Sequence, residues 1–159
     1  MNATAEAVED ALSIQRASSS TEMPDDEAIR RFAAVVLADL QAPVLNLRIV
    51  DEPEGRALNR QWRGRDYATN VLSFPADLPE GSGVNLLGDV VITASVVERE
   101  ALEQGKPVAD HFAHLLVHGI LHLRGYDHIS DRDAREMEAL EIEHLARLGV
   151  SNPYPSEDD

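Results

Sequence analysis

The stretch VHGILHLRGYDH, from Val117 to His128, sets three histidines at a spacing that one local geometry makes useful. His118 and His122 are four residues apart, so on a helix they stand one above the other on the same face. Gly125 falls where that helix would end, and a glycine there lets the chain turn back. His128 then comes round to the same side. Three neutral nitrogen donors with no obvious fourth ligand describe an open zinc site, not a sealed structural one. The stretch therefore predicts a helix from about Val108 to Arg124 and a turn after it. Together they would form a metal site of His118, His122 and His128 that takes one zinc ion per chain.

The spacing is similar to the extended zincin pattern, His-Glu-x-x-His-x-x-Gly-x-x-His. The three histidines and the glycine stand at those offsets, but Gly119 occupies the position of the glutamate. In the peptidases that glutamate is the general base. The ligand spacing is thus zincin-like while the peptidase's proton acceptor is missing.

Outward from this stretch, the chain reads as short strands alternating with amphipathic helices. Leu12 to Ala17 and Val44 to Val50 are expected strands; in the second, Leu45, Leu47 and Ile49 alternate with Asn46 and Arg48. Pro24 opens a helix with Asp25, Asp26 and Glu27 in its first turn. Its core face is Ile29, Phe32, Ala33, Val36, Leu37 and Leu40. A short helix follows over Glu54 to Trp62, with Leu58 and Trp62 facing inward. Arg56, Arg60 and Arg63 share another of its faces. Val71 to Phe74 is a strand ended by Pro75, then a loop to Asn85, then an apolar strand from Leu86 to Ile92. Ser95 and Glu98 have the spacing of a capping box opening the next helix, and Gly105 with Pro107 separates it from the histidine helix. There Phe112, Leu116, Gly119 and Leu123 form the packed stripe. Ser130 and Asp133 cap a last helix that ends near Gly149.

The length, 159 residues, suits a single domain spanning 1–159, with residues 1–10 and 151–159 as flexible tails. The pattern mixes helices and strands, with the strands too few and too unevenly spaced for a doubly wound fold. There is no cysteine, which excludes disulfides and thiolate ligands. No apolar run reaches membrane-spanning length and the N-terminus lacks a secretory pattern, so a cytoplasmic protein with no membrane partner is expected. The net charge of −15 argues against nucleic-acid binding if taken as a sum. Its distribution argues differently. The acids concentrate toward the ends, while Arg56 to Arg65 is locally basic; arginine supplies nearly all the positive charge, Lys106 being the one lysine.

The run from His118 to His128 resembles the signature of the YbeY family of bacterial rRNA maturation factors. So do LNRQWRGRDYATNVLSFP (Leu58 to Pro75), LLGDVVI (Leu86 to Ile92) and EMEALE (Glu136 to Glu141), in family order from about Leu12 to Tyr154. The resemblance implies a zinc-dependent, single-strand-specific endoribonuclease. Its setting would be rRNA processing, including 16S rRNA 3′ end maturation, and late ribosome quality control. It implies single-stranded RNA or rRNA and the ribosome or its proteins as partners, and no DNA. It implies an α+β fold, one small mixed β-sheet flanked by helices, with the histidine helix lining a cleft beside the sheet. Arg63 matches the arginine of the family's Tyr-Arg-x-Lys-Asp segment, with Trp62 in place of the tyrosine and Arg65 in place of the lysine. A guanidinium there would fork onto phosphate, so Arg63 joins His118, His122 and His128 as an expected catalytic residue. Ala68 stands where the family often has proline.

Other groups keep more than one reading. His111 and His114, on the same helix, read as spare ligands, as groups behind the ligands, as RNA contacts or as polar residues on a wet cleft. His144 is expected to be solvated. Asp89 lies in an apolar run and, if buried, needs a partner, either a ligand histidine or backbone amides. Asp127 reads as a turn former, a base or a group behind a ligand. Two other functions compete with the nuclease: a zinc peptidase, which Gly119 opposes, and a non-catalytic ribosome-assembly factor with structural zinc.

Overall fold

The computed structural model describes residues 12–76 and 86–154. The tail expected over 1–10 and most of the loop before Asn85 lie outside the described residues. The order along the chain is β1 (Leu12–Ala17), α1 (Asp26–Leu37), β2 (Val44–Val50), α2 (Glu52–Arg63), β3 (Val71–Pro75), β4 (Leu86–Thr93), α3 (Ala94–Gln104), α4 (Val108–Leu123) and α5 (Asp131–Arg147). The strands form one four-stranded mixed sheet in the order β1-β2-β4-β3. β1, β2 and β4 run parallel, and β3 lies antiparallel on the edge beside β4. This is the expected α+β architecture.

Strand alternation divides the core between the two faces of the sheet. Leu45, Leu47 and Ile49 of β2 and Val90 and Ile92 of β4 pack into the larger core with α1, α3, α4 and α5. Val91, Leu72 and Val50 form a smaller cluster on the opposite face, against Leu58 of α2. α4 is the central helix. It lies across β3 and β4, with α1, α3 and α5 packed around it. Its neighbours enclose Phe112, Leu116 and Ile120 completely.

Gly119 sets how closely α4 approaches the sheet. A Cβ there would sit 3.0 Å from Val90 Cγ1, 3.2 Å from Val71 Cγ2 and 3.3 Å from Ser73 Oγ. Ser73 of β3 also donates a hydrogen bond to the Gly119 carbonyl at 2.9 Å, tying the edge strand to the helix. The position that holds glutamate in the zincin pattern is therefore closed by β3 and β4.

Several local expectations are corrected. α1 starts after Pro24 and not with it: Asp25, expected in the first turn, is the N-cap, its side chain accepting from the Ala28 amide. The helix after β4 starts at Ala94 with Thr93 as N-cap, so Ser95 and Glu98 form no capping box. They serve other segments instead: Ser95 bonds Glu52, and Ser20 bonds Glu98. Trp62 does not face inward. It is 61% exposed, and the residues that α2 buries are Gly55 and Asn59. A Cβ on Gly55 would collide with the Thr93 side chain at 2.3 Å, so the helix meets the sheet closely in its first turn, while Trp62 lies two turns further along the same side, at the helix end. Asp89 is exposed and accepts from Asn46 Nδ2 at 2.8 Å, rather than being buried near a ligand histidine. His144 is half-buried, and burial pushes its pKa down.

Candidate functional site

α4 brings His118 and His122 to one face, as the four-residue spacing requires. Gly125 adopts φ +98°, a left-handed conformation that a glycine takes without a Cβ penalty. The Gly125 amide bonds the His122 carbonyl at 3.0 Å and the Tyr126 amide bonds the Leu121 carbonyl at 3.1 Å, closing the helix end. The turn delivers His128, whose ring centre lies 5.2 Å from that of His122 and 5.9 Å from that of His118. One nitrogen from each of the three rings falls within a sphere in which all pairs are within 4.8 Å.

Hydrogen bonds on the far side of the rings set their tautomers. His118 Nδ1 lies 2.7 Å from a Glu141 oxygen, and His122 Nδ1 lies 3.0 Å from the Tyr126 carbonyl. A carboxylate and a carbonyl only accept, so both Nδ1 atoms carry the proton. Both Nε2 atoms then present lone pairs, and they face each other at 3.0 Å. Two lone pairs at that distance repel unless a cation lies between them. The donor set therefore fits a divalent ion of zinc's kind, with three neutral imidazoles and room for a further ligand. Burial, reinforced by His118 and His128, pushes His122 down toward the neutral form that ligation needs.

Glu141 is a site residue that the sequence reading did not single out. It lies in α5, only 1% exposed. Its carboxylate accepts from His118, from Tyr154 Oη at 2.8 Å, and from His114 Nε2 at 3.3 Å. Burial pushes the carboxyl up, but those three donors outweigh it and hold the pKa at about 2. Tyr154 also reaches His114 Nε2, at 3.2 Å. Within the segment expected to be a tail from Ser151, Tyr154 is thus half-buried and bonded behind the histidine face. Burial pushes its hydroxyl up, and Glu141 adds to the shift.

His114 accordingly sits behind the cluster, bonded to Glu141. His111 is buried and turned away from it, its Nε2 2.8 Å from Glu100 of α3. Glu100 also accepts from Asn70 Nδ2 at 3.0 Å, just before β3. Asp127 acts locally: its carboxylate accepts the His128 amide at 2.7 Å.

The three histidines open onto a cleft of about 530 Å³. Its opposite wall carries Arg63 and Arg65, with Thr69, Asn70 and Ser73 between. Arg63 is thus brought to the same cleft as His118, His122 and His128, and it has no ion pair among the described residues. Arg56 lies on the same helix but pairs with Asp66 through two bonds of 2.9 and 3.0 Å, which satisfies its fork. The cleft combines a set of nitrogens able to hold a metal with a guanidinium that has no ion pair among the described residues. Such an arrangement can hold an anionic ester and cut it with water.

Comparison with known proteins agrees with this geometry. The family model described as Endoribonuclease YbeY matches residues 13–149. A Pseudomonas putida protein named endoribonuclease YbeY is 54% identical over 149 residues, covering 92% of this chain and 94% of its own. One of the same name from Cellvibrio japonicus is 52% identical, covering 90% of this chain and 82% of its own. A Thermotoga maritima protein whose structure was solved in solution shares the fold, with a TM-score of 0.59 at 24% identity over 91% of this chain and 99% of its own.

Proposed function

Since the chain belongs to the endoribonuclease YbeY family, we propose that it is a zinc-dependent hydrolase that cuts single-stranded RNA. Its proposed setting is the cytoplasm. Its proposed work there is rRNA processing, including maturation of the 16S rRNA 3′ end, and late ribosome quality control, with the ribosome or its proteins as partners. The observation that carries the reading is the shared cleft, lined by His118, His122 and His128 and by Arg63, which has no ion pair among the described residues.

His118, His122 and His128 would hold the metal. When bound, zinc supplies Lewis acidity that makes water a competent nucleophile near neutral pH. The remaining steps belong to the protein. Glu141 and the Tyr126 carbonyl hold the two imidazoles in the tautomer that offers Nε2. Arg63 forks onto the scissile phosphate and offsets the charge that builds on it during attack. Arg65, hydrogen-bonded to Tyr67 Oη at 3.3 Å, adds positive potential on the same wall. The peptidase alternative loses support from Gly119, which holds the place of the general base and packs tightly against Val90, Val71 and Ser73.

The test compares wild type with Arg63→Ala and Arg63→Lys, measuring metal content, melting temperature and cleavage of a single-stranded RNA on the same preparations. Arg63→Ala should keep its metal and its melting temperature and lose on the order of 10²–10³ in rate. Arg63→Lys should recover only part, because a point charge does not reproduce the fork. Wild-type cleavage by Arg63→Ala would remove Arg63 from the mechanism. Wild-type cleavage that survives chelation would favour a non-catalytic assembly factor and a contaminating nuclease.

A further inference from the structure

On the other side of the edge strand β3 from the histidine cleft lies a second groove of about 810 Å³. Ser73 and Pro75 line both, so the two grooves meet across β3. The consecutive residues Trp62 and Arg63 divide between them: Arg63 faces the histidine cleft and Trp62 the second groove. Trp62 is 61% exposed and rests only edge-on against Phe74, with ring centres 5.9 Å apart at 66°. A broad indole with so little cover, beside a phosphate-binding candidate, is a stacking surface.

The charges of this groove select what sits in it. Arg48 is already engaged by both oxygens of Glu54. Asp89 is exposed and bonded to the neutral Asn46, with no cationic partner among the described residues. The groove is therefore unfavourable for a phosphate and open to an uncharged aromatic ring. The positive wall is the one across β3, at Arg63 and Arg65. A nucleotide strand has this same division, with charged phosphates joined to neutral, flat bases.

We propose that Trp62 is a nucleobase-stacking subsite, holding a base of the single-stranded substrate that has crossed β3 from the Arg63 cleft. The subsite rests on the nuclease reading above. It would confer a preference for unpaired RNA, since a base within a duplex does not present its face. It would also extend the footprint beyond the cut phosphodiester.

Trp62 is the only tryptophan of the chain, so its fluorescence reports the groove directly. The probe is a metal-loaded protein titrated with a cleavage-resistant 2′-O-methyl single strand of about a dozen nucleotides, with strand binding followed separately by anisotropy of an end label. Binding should quench Trp62. An abasic sugar-phosphate strand of the same length should quench little. Trp62→Ala should bind the 2′-O-methyl strand roughly five- to a hundredfold more weakly, and Trp62→Phe should retain most of the affinity. Both variants should keep the metal and the melting temperature, because the ring is exposed.

If the strand binds without changing Trp62 emission and Trp62→Ala binds as tightly as wild type, the subsite is wrong and the nuclease reading stands. Equal quenching by the abasic strand would also overturn it. Quenching by an oligoarginine peptide but not by RNA would make the groove a protein-docking face and overturn it. Failure of wild type either to bind or to cut RNA would remove both the subsite and the nuclease reading.

Discussion

The Nδ1 atom of His118 lies 2.7 Å from the carboxylate of Glu141, a contact between α4 and α5 across twenty-three positions of sequence. It fixes the tautomer of His118 and ties the three-histidine cluster to the packing of the last helix. Glu141→Gln replaces an acceptor-only carboxylate with an amide that meets three donors, so one of them loses its partner. Zinc affinity should fall about 10–100-fold, as is typical when a ligand's outer partner is altered. A competition titration against a chromophoric chelator reads this directly. Unchanged affinity would show that Glu141 only packs.

Tyr154→Phe removes one of the donors to that carboxylate and leaves the ring in place. The loss should be of the order of a single hydrogen bond, about 1 kcal/mol in unfolding free energy by urea titration. Zinc affinity should fall less than in Glu141→Gln. A larger effect on zinc than that of Glu141→Gln would reverse the order of support argued here.

Gly119→Glu restores the residue type of the zincin pattern but should yield no peptidase. The side chain would start 3.0 Å from Val90 and 3.2 Å from Val71, with a carboxylate driven toward the sheet. Overpacking and an unpaired charge should together destabilise the fold by at least ~2 kcal/mol. Chelator-sensitive casein hydrolysis by a stable Gly119→Glu protein would contradict this.

Glu100 predicts a dependence on acid. The hydrogen bond from His111 holds its carboxyl below the usual value of 4.5; burial opposes the shift, and Asn70 supports it. A depressed folded pKa gives stability that is full above the unfolded value and is lost as pH falls below it. Glu100→Gln should therefore be less stable than wild type at pH 7, by about 1 kcal/mol. The gap should narrow once pH drops below about 4.5. Urea melts of both proteins between pH 7 and 3.5 measure it. A gap that is constant with pH would rule out the carboxylate's charge as its cause.

The three-histidine cluster was legible because its determinants are local. His118 and His122 need only one helical turn, and His128 only the turn that Gly125 permits. Glu141 comes from a separate helix, and its letter sits among surface acids in EMEALEIEH. A signal was nevertheless present. Met137, Glu141 and Leu145 stand four apart, and all three are buried, so Glu141 occupies the core column of α5. An acid in an apolar column must find donors, which is what His114, His118 and Tyr154 provide.

Trp62 was misplaced for a different reason. Apolar spacing puts Leu58 and Trp62 on the face that also carries Gly55, but α2 meets the sheet closely at Gly55, whose missing side chain admits Thr93, and Trp62 lies two turns beyond that approach, at the helix end. Periodicity reports which residues prefer burial, while close approach is decided by the smallest residue. Asp89 and His144 failed similarly. Asp89 on the exposed face of the internal strand β4 and His144 on a half-buried turn of α5 depend on what packs nearby, and spacing does not encode it. Arg63 was singled out through its neighbours in sequence, and the fold places it on the lining of the same cleft as the three histidines.

The most direct measurement of the central claim is a zinc back-titration of metal-free protein, following single-stranded RNA cleavage and bound metal together. Cleavage should rise in proportion to zinc and level off at one equivalent per chain. His122→Ala should bind zinc far more weakly and stay inactive throughout the same range. Full cleavage by the metal-free protein, or by His122→Ala at wild-type rate, would contradict the assignment of the RNA chemistry to the three-histidine centre.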